Sequence, residues 1–274
     1  MSAELAELGE TLRRHDHDRY VTALFADPAR RADLWVLYAF NLELSQVRTQ
    51  VREPLAGMIR LQWWRDVVEG TRPQEAGRHP VGGPLLRLIQ NRRLPLPLFR
   101  RMIDSRERDL DSMPFADRAG WLAYGRDSAG TLAELACRVL GTQTQAAEAL
   151  GSAWALTGLL RSLPFHLAQN WLALPRDALA GAGLDAEAVL AARADKAVLA
   201  AVVGRLAAEV RGQLEQARRL AYGRAAVPAL LPAVLARAYL RRIEALAGDV
   251  FDSRSHRPRP MPLRLGWAAL LGRV

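Results

Sequence analysis

A single cysteine, Cys137, occurs among the 274 residues. One thiol excludes an internal disulfide and any thiolate cluster for zinc or iron–sulfur chemistry, and it fits a reducing compartment. The run from Leu132 to Cys137 is apolar apart from Glu134, which makes the thiol a buried structural group rather than a nucleophile. Lysine is equally scarce. Lys196 is the only one, so the net charge of +9 rests on arginine, whose planar guanidinium suits phosphate and carboxylate better than an ammonium does. No apolar run reaches the roughly 18 to 20 residues needed to cross a bilayer. Residues 1–10 are acidic, unlike a signal or transit sequence, and the expected location is the cytoplasm. There is no repeat, no alternation long enough for a sheet, and no basic stripe interleaved with aromatics, so nucleic acid is not expected as a partner.

Half of the residues are apolar, enough for one large core, and their periodicity is helical. Asp27-Pro28 makes an N-cap and first-turn pair, and Leu34, Leu37, Tyr38, Asn41, Leu44, Ser45 and Arg48 then recur every three or four residues to about Val51. Pro54 opens a second helix that stops at Gly70. Residues 71–84 read as a surface loop, and a short helix follows to Asn91. Further helices are predicted over 98–111, 121–140, 146–163, 185–193, 197–222 and 228–246. Pro164 and Pro175 bracket an irregular segment, and 252–262 has too many prolines and charges for regular structure. The class is all-α and single-domain.

Two stretches carry a resemblance. The first is Leu37-Tyr38-Ala39-Phe40-Asn41-Leu42-Glu43-Leu44-Ser45-Gln46-Val47-Arg48, and the second runs from Leu156 through Arg161-Ser162-Leu163-Pro164-Phe165-His166 to Pro175. With Arg60-Leu61-Gln62-Trp63-Trp64-Arg65-Asp66 and Tyr124 before Ala129-Gly130, they resemble squalene and phytoene synthases over about residues 17–250. The resemblance implies an isoprenoid-synthase-like helical bundle over 1–250, followed by a tail, 251–274, with a short amphipathic segment.

In that family each stretch carries an aspartate-rich motif that holds magnesium on a prenyl diphosphate. Here Ser45, Gln46 and Thr49 stand in the first set of places, and Ser162, Phe165 and His166 in the second. Ionising an allylic diphosphate requires its negative charge to be neutralised, and magnesium does so through oxygen ligands, chiefly carboxylates. Neutral side chains on both walls remove most of that ligand charge, so no catalytic residue and no cofactor is expected. A closer resemblance is to a sub-branch that lacks the aspartates and carries a Pro-aromatic-His triplet, matched by Pro164-Phe165-His166. That branch includes a mitochondrial assembly factor of respiratory complex I. It implies a non-catalytic role in assembling NADH:quinone oxidoreductase, with a complex I subunit or assembly intermediate as partner.

An alternative stays open, a Mg2+-dependent prenyltransferase acting on farnesyl or geranylgeranyl diphosphate. It would draw substitute ligands from Asp66, Asp127 or the row Asp104, Glu107 and Asp111, whose spacing puts them on one helical face. Arg101, Arg106 and Arg108 are interspersed, which favours a charged exterior helix. A third alternative is a metal-free protein binding an isoprenoid diphosphate or anionic lipid. Tyr38, Arg48, Arg60, Arg65, Tyr124, Arg126 and Arg161 are the cavity candidates, although salt bridges explain each arginine equally well. His15-Asp16-His17-Asp18 reads as a solvated helix end. Trp35, Trp63, Trp64, Trp121 and Trp154 read as core. Leu263, Leu265, Trp267, Leu270 and Leu271, with Arg264 and Arg273, suit either peripheral contact with the inner membrane or packing onto the domain.

Overall fold

The computed structural model describes residues 3–256 and 261–274. Among these every regular element is helical, and the one extended contact is an isolated bridge between Phe115 and Pro175. The first half runs α1 (Ala3–His15), α2 (His17–Ala23), α3 (Pro28–Gln50), α4 (Pro54–Glu69), α5 (Pro73–Arg78), α6 (Gly82–Arg92) and α7 (Leu96–Ser105). A 3-10 turn over Arg106–Leu110 leads to α8 (Arg118–Gly125), a π-turn over Arg126–Gly130, and α9 (Thr131–Val139). The second half runs α10 (Ala146–Arg161), α11 (Leu163–Ala168), α12 (Arg176–Ala180), α13 (Ala186–Leu190), α14 (Lys196–Ala217), α15 (Val227–Leu230), α16 (Pro232–Ala245), α17 (Ser253–His256) and α18 (Pro262–Leu271).

The element ends follow local chemistry. Asp27 accepts a hydrogen bond from the Ala29 amide at 2.8 Å with Pro28 in the first turn of α3, and Asp195 caps α14 through the amides of Ala197 and Val198. Gly70 closes α4 in the left-handed region, at φ 74°. At the centre, α10 packs on α14, α16 and the π-turn, while α3 packs on α1, α6 and α9. Gly151 permits the closest of these approaches. A Cβ there would lie 2.3 Å from the Ala129 carbonyl oxygen in the π-turn. Trp121, Tyr38, Phe40 and Phe99 are among the largest fully buried side chains. Phe40 meets Trp64 edge-on at 5.1 Å and tilts against Phe99 at 5.8 Å. Burying each such ring contributes about 1.5–3 kcal/mol.

Four expectations from sequence are corrected. Residues 71–84 hold α5, because Pro73 fits a first turn and Ala76 is buried. The helix expected over 98–111 tightens into the 3-10 turn after Ser105, so Asp104, Glu107 and Asp111 do not share a regular helical face. Pro164 starts α11 rather than breaking the chain. Ser253–His256 forms one helical turn, and the rest of the predicted irregular stretch, 257–260, lies outside the described residues. The predicted helix 121–140 is found from Arg118 to Val139 with the π-turn inserted, a device frequent at functional sites.

Candidate functional site

The last two turns of α3 and the start of α11 carry the two motif stretches. Ser45 donates its hydroxyl to the Leu42 carbonyl at 2.8 Å, and Thr49 donates to the Gln46 carbonyl at 2.9 Å. Both hydroxyls are thus turned back onto their own helix. Ser162 forms the junction between α10 and α11, and Phe165 is 58% exposed. His166 lies against Trp171, ring centres 4.4 Å apart, with its Nδ1 buried and unpaired. Burial, reinforced by the nearby Arg48 charge, pushes its imidazole down to about 4, so it is neutral at neutral pH.

Arg48 joins the two stretches. Its guanidinium donates to the carbonyl oxygens of Asp109 at 2.5 Å, Gln169 at 3.2 Å and Asn170 at 3.3 Å, and it sits 5.4 Å from the centre of the Trp171 ring. A fixed cation therefore ties the end of α3 to the loop behind α11. Hard divalent cations need several oxygen ligands with carboxylate charge. The residues here, hydroxyls bonded to their own helices beside a guanidinium, do not fit magnesium. An open groove of about 480 Å3 remains outside, lined by Arg48, Thr49, Arg52, Glu53, Leu110 and Gln169 among others.

Deeper in the bundle, Tyr38, Leu132, Leu150, Gly151, Trp154 and Arg19 border a cavity of about 20 Å3. That is room for one water and far below the roughly 300 Å3 at which small-molecule pockets begin. Arg19 enters this wall. It donates to Asp16 at 2.7 Å, both side chains being largely buried, and lies 5.7 Å from the Trp154 ring centre. Asp18 accepts the Tyr239 hydroxyl at 2.9 Å, and Arg161 stacks on the Tyr239 ring at 3.5 Å. Burial raises the Asp18 carboxyl and pushes the Tyr239 hydroxyl up to about 12. Asp16 and Asp18 are therefore part-buried structural groups, Asp16 holding Arg19 and Asp18 holding Tyr239, which corrects the solvated-end reading. His15 and His17 are exposed as expected.

Between cavity and groove lies a polar cluster absent from the sequence-level candidates except for Tyr124. Arg106 donates to the Tyr124 hydroxyl at 2.7 Å, to Asp109 at 3.3 Å and to the Asn41 side-chain oxygen at 3.2 Å. Asp109 and Asn41 are buried, and one Asp109 oxygen and Arg106 Nε have no partner. Burial raises the Asp109 carboxyl against the pull of Arg106. Arg106 is thus interior, contrary to the exterior helix expected from its charged neighbours.

The remaining acids proposed as metal ligands each meet arginine. Asp104 and Glu107 both hold Arg65, Asp111 pairs with Arg108 at 3.3 Å, and Asp66 pairs with Arg72 at 2.8 Å. Asp127 lies between Arg101 and Arg126 at 4.0 and 3.5 Å. Among the described residues no three acids, histidines or cysteines gather as a metal site. The cavity candidates do not converge either. Tyr38 lines the inner cavity and Arg48 the outer groove. Arg60 bonds Gln50 at 2.7 Å on the surface, Arg65 is engaged by Asp104 and Glu107, and the Arg126 side chain is half exposed.

Residues 12–262 match the family described as squalene/phytoene synthase. The chain belongs to that family. Among curated relatives, the mouse protein named NADH dehydrogenase (ubiquinone) complex I, assembly factor 6 is 29% identical over 263 residues, covering 93% of this chain and 79% of the mouse protein. The rat protein of the same name is 30% identical over 264 residues, with the same coverage. The human one is 27% identical over 248 residues, covering 88% of this chain and 74% of its own length. Among solved structures, a dehydrosqualene synthase in complex with ligand superposes with a TM-score of 0.78 at 16% identity, covering 98% of this chain and 95% of the other. The squalene synthase HpnC from Alicyclobacillus acidocaldarius gives 0.73 at 20% identity, with coverages of 90% and 97%. These superpositions establish the isoprenoid-synthase-like bundle.

Within this squalene/phytoene synthase scaffold, sequence reading found the two motif stretches and missed what fills the space between them. Arg19 and Asp109 lie outside the quoted motifs, and Trp171 lies in the second stretch without having been singled out. The one local signal for the buried pair is the three-residue spacing of Arg106 and Asp109.

Proposed function

We propose that this chain is a non-catalytic member of the squalene/phytoene synthase family that acts in assembly of NADH:quinone oxidoreductase, complex I, by binding one of its subunits or an assembly intermediate. The observation that carries the reading is Arg48. Its guanidinium bridges the two motif stretches through the Gln169 and Asn170 carbonyl oxygens and also bonds that of Asp109, at the place where the chemistry of diphosphate ionisation calls for carboxylates and divalent cations. The inner cavity lined by Tyr38 and Trp154 supports the same reading, because its volume of about 20 Å3 is too small for a prenyl chain. Kinship with proteins named as complex I assembly factors over about nine-tenths of the chain supplies the process. The cytoplasm is the proposed compartment.

The test is a native strain deleted for this gene, with complex I measured by native gel and NADH oxidation beside a complemented control. Loss of complex I that the gene restores is the expected result, and restoration by an Arg48→Lys variant as well would separate the assembly role from the details of the mouth. Normal complex I in the deletion strain would refute the reading.

A further inference from the structure

The outer face of α18 is the least covered apolar surface among the described residues. Leu263, Trp267, Leu270 and Leu271 are 83%, 62%, 65% and 62% exposed. Their spacing of four, three and one places them in one stripe. The opposite face is committed to the bundle, where Leu265 and Ala268 are buried against α15 and α16. The far end is fastened as well. The Val274 amide donates to the Tyr222 hydroxyl at 2.8 Å, Arg218 donates to the Val274 carbonyl at 2.6 Å, and Arg224 donates to the Leu270 carbonyl. The stripe is therefore held outward on a rigid support.

Charge decides what covers it. Arg264 is exposed on α18 and Arg273 just past its end, and Arg219 and Arg224 are exposed on the adjoining segment, which also presents Leu220. No aspartate or glutamate occurs from Ser253 to Val274, nor from Gln216 to Ile243. An aromatic and three leucines with exposed arginines and no acid on the same and the adjoining segment match a bilayer with anionic headgroups, where apolar side chains enter the acyl boundary and arginines meet phosphate. Ten residues of helix span about 15 Å, half of the hydrocarbon thickness, and no described helix is long and apolar enough to cross a membrane. The geometry points to α18 lying flat in the interface of an anionic membrane, with the bundle standing above it. This inference is independent of the assembly role.

The full-length protein is mixed with phosphatidylcholine vesicles, with or without phosphatidylglycerol, and floated through a density gradient. Flotation with the anionic vesicles only is expected. Among the seven tryptophans Trp267 is the exposed one, so brominated acyl chains should quench emission in the wild type and not in Trp267→Phe. Leu270→Ser with Leu271→Ser should weaken binding by tenfold or more, on the order of two or more buried methylenes per side chain. Arg264→Gln and Arg273→Gln should each cost about fivefold. The serine variants alter exposed side chains, and an unchanged thermal midpoint checks that they fold. Flotation equal on neutral vesicles, absence of flotation on anionic ones, or wild-type binding by the leucine variant would each overturn the proposal. So would a soluble dimer that buries Trp267 and excludes vesicles.

Discussion

Two arginines in this bundle are held in opposite ways. Arg48, at the mouth, is bonded by carbonyl oxygens that carry no formal charge, and the imidazole near it is neutral. Arg106, in the interior, faces the carboxylate of Asp109, with Tyr124 and Asn41 completing its shell. The mouth thus keeps an excess of positive charge, while the interior is balanced. A magnesium–diphosphate site asks for the reverse, with carboxylates at the mouth and open volume inside.

The difference sets an order for breaking each arrangement. Arg106→Ala strands a buried carboxylate and should destabilise by about 3–5 kcal/mol in denaturant unfolding, whereas the joint replacement of Arg106 and Asp109 by Met and Leu should recover most of that loss. A single-variant cost below about 1 kcal/mol would mean that the interior pair is not an uncompensated charge problem.

The neutral His166 gives the mouth its own pH dependence. Its folded value of about 4 lies below the ordinary 6.5, so the unfolded chain binds the proton more readily between those limits. Its contribution is complete above pH 6.5 and is lost as pH falls toward 4, by up to about 3 kcal/mol. Unfolding of wild type against His166→Phe at pH 7 and pH 4.5 measures this, and the gap between them should change with pH.

Arg48→Ala removes hydrogen bonds to carbonyls that water can replace at the groove, and should cost about 1–2 kcal/mol in the same assay. A loss as large as that of Arg106→Ala would erase the contrast between the two sites. Tyr239→Phe deletes one hydrogen bond to Asp18 and should cost about 1 kcal/mol, the smallest effect of the set.

Much of the fold was legible because its signals are local. Asp27-Pro28, Pro54 and Gly70 announce helix ends through capping and backbone preference, and the three- and four-residue periodicity of α3 marks it as a helix, although Leu34 to Asn41 are buried on every side. The absence of aspartates from both motif stretches could likewise be read directly. Pro73 and Pro164 misled because proline is compatible with a first turn and incompatible only with a helix interior. The filling of the site was not legible. Arg48 meets carbonyls 61, 121 and 122 residues away, and backbone carbonyls carry no sequence signature. Nor did the charged run from Arg100 to Asp111 disclose that Arg106 and Asp109 turn inward, since that depends on the switch to a 3-10 turn after Ser105. Arg19 and Asp18 were hidden for a similar reason, as their partners Trp154 and Tyr239 come from distant helices.

The most direct test of the closed mouth is release of inorganic diphosphate from farnesyl or geranylgeranyl diphosphate by the purified protein in Mg2+. The arrangement around Arg48 predicts no release above the protein-free control, and none gained by adding more Mg2+. Magnesium-dependent release at enzymatic rates, abolished by substituting Asp66, Asp104, Glu107, Asp111 and Asp127 together, would contradict the non-catalytic reading.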